Sequence, residues 1–354
     1  MEPPLLLGYD AGVTRLFMCH VFLSGSLMRL LLALALAALV DTATADEKPP
    51  EPAQLNAVID KGLGFLVKDA LAWKEKHTCA SCHHGALTVW AMREAKLRGQ
   101  TVDEPKLAEF TKWVAQAGNG KTGVPRPAGL PKALNVKAVL FSLALSADPE
   151  PDADAKAGLK LMWGTVKEDQ TENGSWSAWP ETRPPFFGGS HDSMTTLATL
   201  ALVPAAAGDE EAKAALGKGV KWLAETKTDD DPQSVAMRLL LWAKLGRPRE
   251  EIDPQISRIK ERQNADGGWS QAKEMASDAW ATGQSLYALS YAGLKPDDPV
   301  IQRAQSFLIK TQREDGSWPM TSRPTKPGDT GSPGLIPITG GGSAWGVLGL
   351  VKSK

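Results

Sequence analysis

The sequence has almost no net charge, no apolar run of transmembrane length and few cysteines. Its 354 residues hold 40 Lys and Arg against 41 Asp and Glu, a formal net charge of -1, and the basic residues are scattered. Balanced, scattered charge argues against nucleic acid as a partner. With 42% hydrophobic and 23% charged residues the chain can bury a large core, so extended disorder is excluded as well.

The longest apolar run, Leu30–Val40, is too short to cross a bilayer. Met28 and Arg29 stand before it, and Ala43–Ala45 follows with a small residue at each end. A basic start, a short apolar run and a small-x-small end are typical of a secretory signal peptide. We therefore predict export, to the periplasm, and no transmembrane span in the mature chain. An uncleaved N-terminal anchor is the alternative.

This interpretation also divides the chain. A signal peptide begins near its own initiator Met, so residues 1–27 are predicted to be an upstream extension from a mis-assigned start. The signal peptide then covers 28–45, a Pro-rich linker 46–54 and a single folded domain 55–354. Because Cys19 falls in the upstream extension, two of the 3 cysteines remain in the mature chain.

Aromatic residues are also few, 6% of the chain, but 12 of them are Trp and three of these belong to a repeated Gly-x-Trp tripeptide. Each copy follows a Gln that closes an amphipathic helix. In the fullest copy this helix holds Arg303-Ala304 and the aromatic-aliphatic pair Phe307-Leu308, and the same opening half recurs at 61–66 and 218–223. A spacing of about 47 residues between copies indicates a repeat architecture. The copies are Gly174–Trp176 after Gln170, Gly267–Trp269 after Gln263, and Gly316–Trp318 after Gln312.

These motifs resemble the QW repeat of the squalene and oxidosqualene cyclase family and its prenyltransferase relatives. The resemblance covers most of residues 55–354 and is specific in three copies and partial in the others. It implies that the Gln caps a helix end and that the Trp stacks nearby and ties adjacent repeats together, which is a structural role. It also implies an all-α fold, the (α/α)6 toroid, with one helix of each pair lining the interior.

Apolar periodicity predicts about twelve helices, which make the six pairs of such a toroid. Residues 194–203 and 280–292 carry no charge, so their helices are expected on the inside. Inner helices run in one direction, so their N-termini share one end of the toroid, the N-terminal rim. The predicted helices are 55–69, 85–97, 105–117, 133–147, 153–168, 191–205, 211–226, 232–246, 253–263, 278–292, 298–312 and 342–352.

In place of the Gln and the Gly-x-Trp, the first repeat holds Cys79-Ala-Ser-Cys82-His83-His84. Cys-x-x-Cys-His is the attachment sequence of c-type haem. Two thiols one turn apart can form thioethers with the two vinyl groups, and the next His can supply an axial imidazole to the iron. We therefore predict a covalent haem c on Cys79 and Cys82, with His83 as the metal ligand.

Two other interpretations of the cysteine pair stay open. An exported Cys-x-x-Cys pair can form a disulfide. Zinc can be bound by Cys79, Cys82, His84 and His191, and the related prenyltransferases carry a catalytic zinc on this toroid. Their ligand pattern is not visible in this sequence, so the resemblance does not carry the zinc over.

His191 is the first candidate for the second axial ligand of the haem iron. It begins a predicted inner helix and is therefore expected at the same N-terminal rim as His83. It is also the one histidine of the mature chain outside residues 77–84. Met92, Met194 or an open position are the alternatives, as is a His191 without a ligand role. His84 is interpreted as a contact to a haem propionate or to solvent.

The family resemblance also raises the question of cyclisation. Cyclases of this family protonate an alkene with the middle acid of an Asp-x-Asp-Asp motif. The nearest match is Thr228–Asp231, where Thr replaces the first Asp and Pro232 follows. An Asp in this place also suits a helix N-cap, which we favour, while Asp230 and Asp231 stay candidate acids.

Two functional hypotheses follow. The first is an exported toroid that carries haem for electron transfer or haem-assisted redox chemistry, with a redox partner protein or a hydrophobic molecule in the central cavity. The second is a terpenoid cyclase relative that binds or cyclises an isoprenoid without haem, with Asp230 as the acid. Cyclisation is disfavoured because triterpene cyclases enclose their substrate between two helical domains and because aromatics that stabilise carbocations are few.

Overall fold

The computed structural model of the protein describes residues 49–77, 79–116, 133–177, 190–273, 275–320 and 336–354. Every described residue belongs to one compact unit, Pro49–Lys354. The predicted upstream extension and signal peptide therefore lie outside the described residues. Within the described part, no helix has both the length and the apolar character needed to cross a membrane.

The described residues form twelve α-helices. A π-helix, Cys82–Ala86, precedes the second, and a short 3-10 helix, Ala205–Ala207, follows the sixth. Two short antiparallel strands, β1 (Trp269–Ser270) and β2 (Ser277–Asp278), precede the tenth. The α-helices are α1 Pro52–Lys76, α2 Leu87–Leu97, α3 Glu104–Gln116, α4 Val136–Leu145, α5 Ala153–Glu168, α6 His191–Leu202, α7 Glu210–Glu225, α8 Pro232–Lys244, α9 Arg249–Lys260, α10 Ala279–Tyr291, α11 Pro299–Thr311 and α12 Ile336–Ser353.

The even-numbered helices make a closed inner ring. Each of them packs on the next, from α2 through α4, α6, α8 and α10 to α12, and α12 packs back on α2. Burial follows the charge pattern, since every residue of α6 from Asp192 to Leu202 is buried and α10 is buried from Ala279 to Leu289. The predicted all-α (α/α)6 toroid is confirmed.

The Gln of each repeat joins two neighbouring outer helices. The amide of Gln170 donates to the carbonyl of Gly174 in its own tripeptide at 3.0 Å and to that of Ala215 on α7 at 2.9 Å. Gln263 makes the same pair of bonds to Gly267 and Val300. The Gln therefore ties each repeat to the one that follows it.

The Trp of each tripeptide is held from three sides. The Trp176 indole N–H donates to the carbonyl of Val166 at 2.8 Å, and its backbone N–H donates to the hydroxyl of Thr195 on α6 at 3.0 Å. On the third side the ring lies against Gly219, where a Cβ would come within 3.0 Å of it. Gly219 therefore leaves room for the Trp of the preceding repeat, and Gly62 does the same for Trp318.

Several helix boundaries differ from the sequence prediction, among them the end of α1 at Lys76 rather than at 69 and the start of α9 at Arg249 rather than at 253. Helix α1 starts at Pro52, inside the predicted linker, because Pro is well suited to the first helical position. Helix α12 starts at Ile336 rather than at 342, through a Gly-rich stretch. These glycines are packing sites, since a Cβ at Gly340 would lie 2.6 Å from the Asp69 carboxylate.

Candidate functional site

The Cys-x-x-Cys-His segment connects α1 to α2. Ser81 caps the π-helix: its hydroxyl accepts from the backbone N–H of His83 at 3.3 Å, and its carbonyl accepts from Gly85 at 2.9 Å. A side chain at Gly85 would meet the Trp113 ring at 3.3 Å, so α3 packs directly on this turn. Single π-turns occur frequently at functional sites.

Cys79 and Cys82 are both free thiols and both half-buried, so the disulfide interpretation gains no support. Burial raises the pKa of Cys82 to about 11, although nearby Lys137 opposes the shift. Burial also lowers the pKa of His83 to about 3, with His84 and Lys137 acting in the same direction. At neutral pH the segment thus presents an uncharged imidazole directly after a protonated thiol.

Aromatic rings surround this segment. Trp73, near the end of α1, stacks on His77 with ring centroids 3.6 Å apart and on His84 at 4.4 Å. It also meets His83 edge-on at 5.8 Å, and its indole N–H donates to the carbonyl of Cys79 at 3.0 Å. One tryptophan therefore touches three histidines and holds the backbone of the first cysteine.

His84 is fixed by a carboxylate. Its Nδ1 lies 2.5 Å from Asp69 Oδ2, and its side chain is 1% exposed. An imidazole that donates one N–H to a carboxylate presents the other nitrogen as an acceptor. That Nε2 is buried and has no hydrogen-bond partner in the described part of the chain. Asp69 and His84 were not coupled by sequence reasoning, although Asp69 lies on the helix that precedes the motif.

The candidate second axial ligands lie in different surroundings. His191 is the first residue of α6, after the N-cap Ser190, and it is exposed. In the inner ring α4 separates α6 from α2. Met92 and Met194 are 1% and 0% exposed, so both are enclosed by packing. Across the described ranges, no three His, Cys, Asp or Glu side chains are grouped as a metal site, so the four residues of the zinc interpretation are not brought together.

The acidic segment before α8 lies at the surface. Asp230 is 89% exposed and pairs with Arg262 and Arg258. Arg262, with a contribution from Arg258, lowers the pKa of Asp230. Asp231 is the N-cap of α8, and its carboxylate accepts from the backbone N–H of Ser234 at 3.1 Å. The N-cap interpretation of Asp231 is confirmed.

An aromatic cluster lies inside the ring, and the sequence analysis missed it. Trp345 on α12 meets Trp90 at 5.2 Å, Tyr287 at 6.0 Å and Trp280 at 6.3 Å, all edge-on. Tyr287 donates to Glu94 at 2.6 Å, and burial, reinforced by Glu94, raises its pKa well above the usual value. These Trp residues lie outside the Gly-x-Trp tripeptides. That difference in the sequence could have distinguished them from the structural Trp residues of the repeat.

Comparisons with known proteins support the fold. The profile of the squalene-hopene cyclase N-terminal domain matches residues 222–311. A comparison with curated proteins gives no match.

Solved structures match over most of the chain. A possible member of the GH105 family from Salmonella enterica has a TM-score of 0.60 at 12% identity, covering 87% of this chain and 95% of that one. A possible GH105 member from Klebsiella pneumoniae has a TM-score of 0.57 at 12% identity, covering 87% and 94%. A variant of the type II terpene cyclase MstE from Scytonema, in complex with geranylgeranyl dihydroxybenzoate, has a TM-score of 0.52 at 15% identity, covering 84% and 97%. At these identities the likeness is one of fold.

Proposed function

We propose that this chain is a squalene-cyclase-like toroid that carries a covalent c-type haem on Cys79 and Cys82, with His83 as an axial ligand. The observation that carries the proposal is the turn itself: two free, half-buried thiols three positions apart, followed directly by an imidazole. A haem supplies a one-electron redox centre. The proposed function is therefore electron transfer or haem-assisted redox chemistry, in the periplasm after export.

The residues of the segment fit this group. Cys79 and Cys82 would hold the haem by addition of each S–H across a vinyl double bond, which keeps sulfur and hydrogen in the product and consumes no oxidant. The Trp73 bond to the Cys79 carbonyl fixes the backbone from which the first thiol projects. The buried Nε2 of His84, which lacks a partner among the described residues, is a second sign that the site receives a polar group from outside the chain.

His191 is the proposed second axial ligand. It is exposed at the start of α6, so its imidazole can turn without breaking a described contact. Met92 and Met194 are enclosed by packing, and a thioether there reaches iron only if the inner helices rearrange. A hydrophobic molecule in the toroid, near Trp90 and Trp345, is the proposed small-molecule partner beside a redox protein. Its support is the aromatic cluster and the isoprenoid bound in the MstE structure.

The proposal is tested by producing the protein in the periplasm of a host that carries the haem-attachment machinery. The wild type is expected to keep a Soret band through acid-acetone extraction, and its tryptic peptide around residue 80 is expected to carry the mass of a haem. Cys79→Ala and Cys82→Ala each leave one thioether, and the double variant leaves none. Lys112→Gln, at an exposed position of the mature chain, is the control and is expected to leave attachment unchanged. A wild-type protein without covalent haem under these conditions contradicts the proposal.

The second candidate is an isoprenoid-binding or isoprenoid-cyclising protein without haem, and the profile match over residues 222–311 favours it. Its acid candidate is poorly placed, because Asp230 is exposed and its arginine partners stabilise the ionised form, which has no proton to give. Incubation with squalene and with geranylgeranyl derivatives, followed by mass-spectrometric product analysis, tests this function. Cyclisation that is lost in Asp230→Asn identifies Asp230 as the acid.

A further inference from the structure

A line of aromatic rings leads from the protein surface to the proposed iron ligand. His77 is exposed at the end of α1 and stacks on Trp73 with an interplanar angle of 9°. Trp73 in turn meets His83 edge-on and stacks on His84, whose ring lies 4.6 Å from that of His83. Each centroid separation is within or below the usual range for rings in contact.

The line is held rigidly. The indole N–H of Trp73 is bound to the carbonyl of Cys79, and His77 Nδ1 lies 3.1 Å from the carbonyl of Trp73 itself. On the inner side, Asp69 fixes His84 at 2.5 Å. Electron tunnelling weakens steeply with every gap between orbitals, so rings kept in contact make a better path than mobile side chains.

The other aromatic neighbour of the motif offers no such path. Trp113 touches the turn at Gly85 but is 8% exposed, and its ring neighbour within the described residues is the buried Phe110 at 6.4 Å. Lys112, next to it on α3, is exposed. The surface near Trp113 is therefore close to the Cys-x-x-Cys-His segment, but no line of ring contacts among the described residues connects the two.

We propose that Trp73 is the bridge by which single electrons pass between the surface at His77 and the haem iron. In the reducing direction an external one-electron donor loses the electron that the iron gains, and no bond or proton is transferred. The inference rests on the proposed function, because it needs the haem. It makes His77 the point at which a redox partner makes electronic contact, and Trp73 a residue that acts through the axial ligand.

The test attaches a photoreducible ruthenium polypyridyl complex to the Nε2 of His77 in the haem-loaded protein and measures electron injection by flash photolysis. Trp73→Leu, which removes the ring, is expected to abolish the fast phase, and Trp73→Phe to retain most of it. The control carries the same label on the imidazole introduced by Lys112→His in a His77→Gln background. There Trp73→Leu is expected to leave the rate unchanged.

The outcomes separate the two proposals. Absence of covalent haem from the wild type defeats the proposed function and this inference with it. Two results would overturn the inference alone, provided that the Soret band of Trp73→Leu is unchanged. The first is an injection rate from the His77 label that is the same before and after the substitution. The second is an equal slowing of injection from the His77 and Lys112→His labels. Should Trp73→Leu fail to load haem, reduction of the unlabelled protein by hexaammineruthenium(II) gives the answer. His77→Gln is expected to slow this reduction of the haem, and Lys112→Gln is expected to leave its rate unchanged. Equal reduction rates in the two variants overturn the inference.

Discussion

The side-chain amide of Gln312 donates to the carbonyl of Val58 at 2.9 Å, across 254 residues of chain. The same amide also donates to Gly316 in its own tripeptide. Gln170 and Gln263 make the equivalent bonds to the next outer helix. The last repeat is therefore joined to the first by the same bond that joins consecutive repeats, and the toroid closes without a special element.

Removing the closing amide is expected to destabilise the whole ring. Gln312→Ala removes the side-chain donor to the half-buried carbonyl of Val58, which keeps its helical donor within α1, and is expected to cost about 1 kcal/mol. Urea denaturation followed by circular dichroism measures the change in the free energy of unfolding. Gln302→Ala on the same helix removes an amide for which no such bond is described and serves as the control. Equal effects of both substitutions contradict a closing role.

Two neighbouring glycines of α7 are expected to respond in opposite ways to the same substitution. A Cβ at Gly219 would lie 2.5 Å from the Thr199 hydroxyl and 3.0 Å from the Trp176 ring, whereas one at Gly217 meets nothing within 4 Å. Gly219→Ala should therefore destabilise the protein by about 1 to 3 kcal/mol through overpacking. Gly217→Ala should stabilise it by up to about 1 kcal/mol, because Ala is the better helix former. Thermal denaturation of both variants checks the opposite signs.

Substitutions of the two aspartates before α8 are expected to have different effects on the free energy of unfolding. Asp231→Ala removes the cap from the Ser234 N–H and should lower the free energy of unfolding by about 1 kcal/mol. Asp230→Asn changes an exposed, solvated group and should leave stability nearly unchanged. A stability loss in Asp230→Asn that exceeds the loss in Asp231→Ala would show that the cap has been misassigned.

Tyr287 is expected to make stability depend on pH in the alkaline range. Burial, with Glu94, raises its pKa in the folded protein, so the folded state keeps a proton that the unfolded chain loses near pH 10. Its contribution is complete below that pH. Above it, the free energy of unfolding falls by up to about 1.4 kcal/mol per pH unit for one proton. Tyr287→Phe should flatten this decline and Tyr291→Phe should not, in denaturation curves recorded at several alkaline pH values.

The toroid could be predicted from the sequence because the residues that connect its repeats belong to one short motif that recurs along the chain. Gln263 and Trp269 come from one short motif, and the side chains of both donate to backbone carbonyls, so these two bonds need no particular partner side chain. The charge-free stretch of α10 likewise marked an inner helix, since a helix with no polar face has to be buried on every side.

The surroundings of the candidate site could not be predicted in the same way. Asp69 and His84 meet beside Gly340 of α12, where an added Cβ would lie within 3.4 Å of both side chains, and in the sequence Gly340 looks like a helix breaker. The contact of Trp345 with Trp90 joins the last helix to the second. Such contacts depend on how the ring closes, which single-helix periodicity does not encode.

Ring closure also makes the position of the chain ends arbitrary. The side chain of Lys354, the last residue, donates to Asn56 at 3.2 Å, so the C-terminus lies beside the start of α1. A short linker from residue 354 to residue 49 would turn the domain into a covalent circle of six helix pairs. It could then be opened at another surface turn, such as Gly246 between α8 and α9, where a left-handed backbone turn stands clear of neighbouring atoms. A circularly permuted chain that begins there keeps every outer-to-outer amide bond, because none of these bonds depends on where the chain is opened.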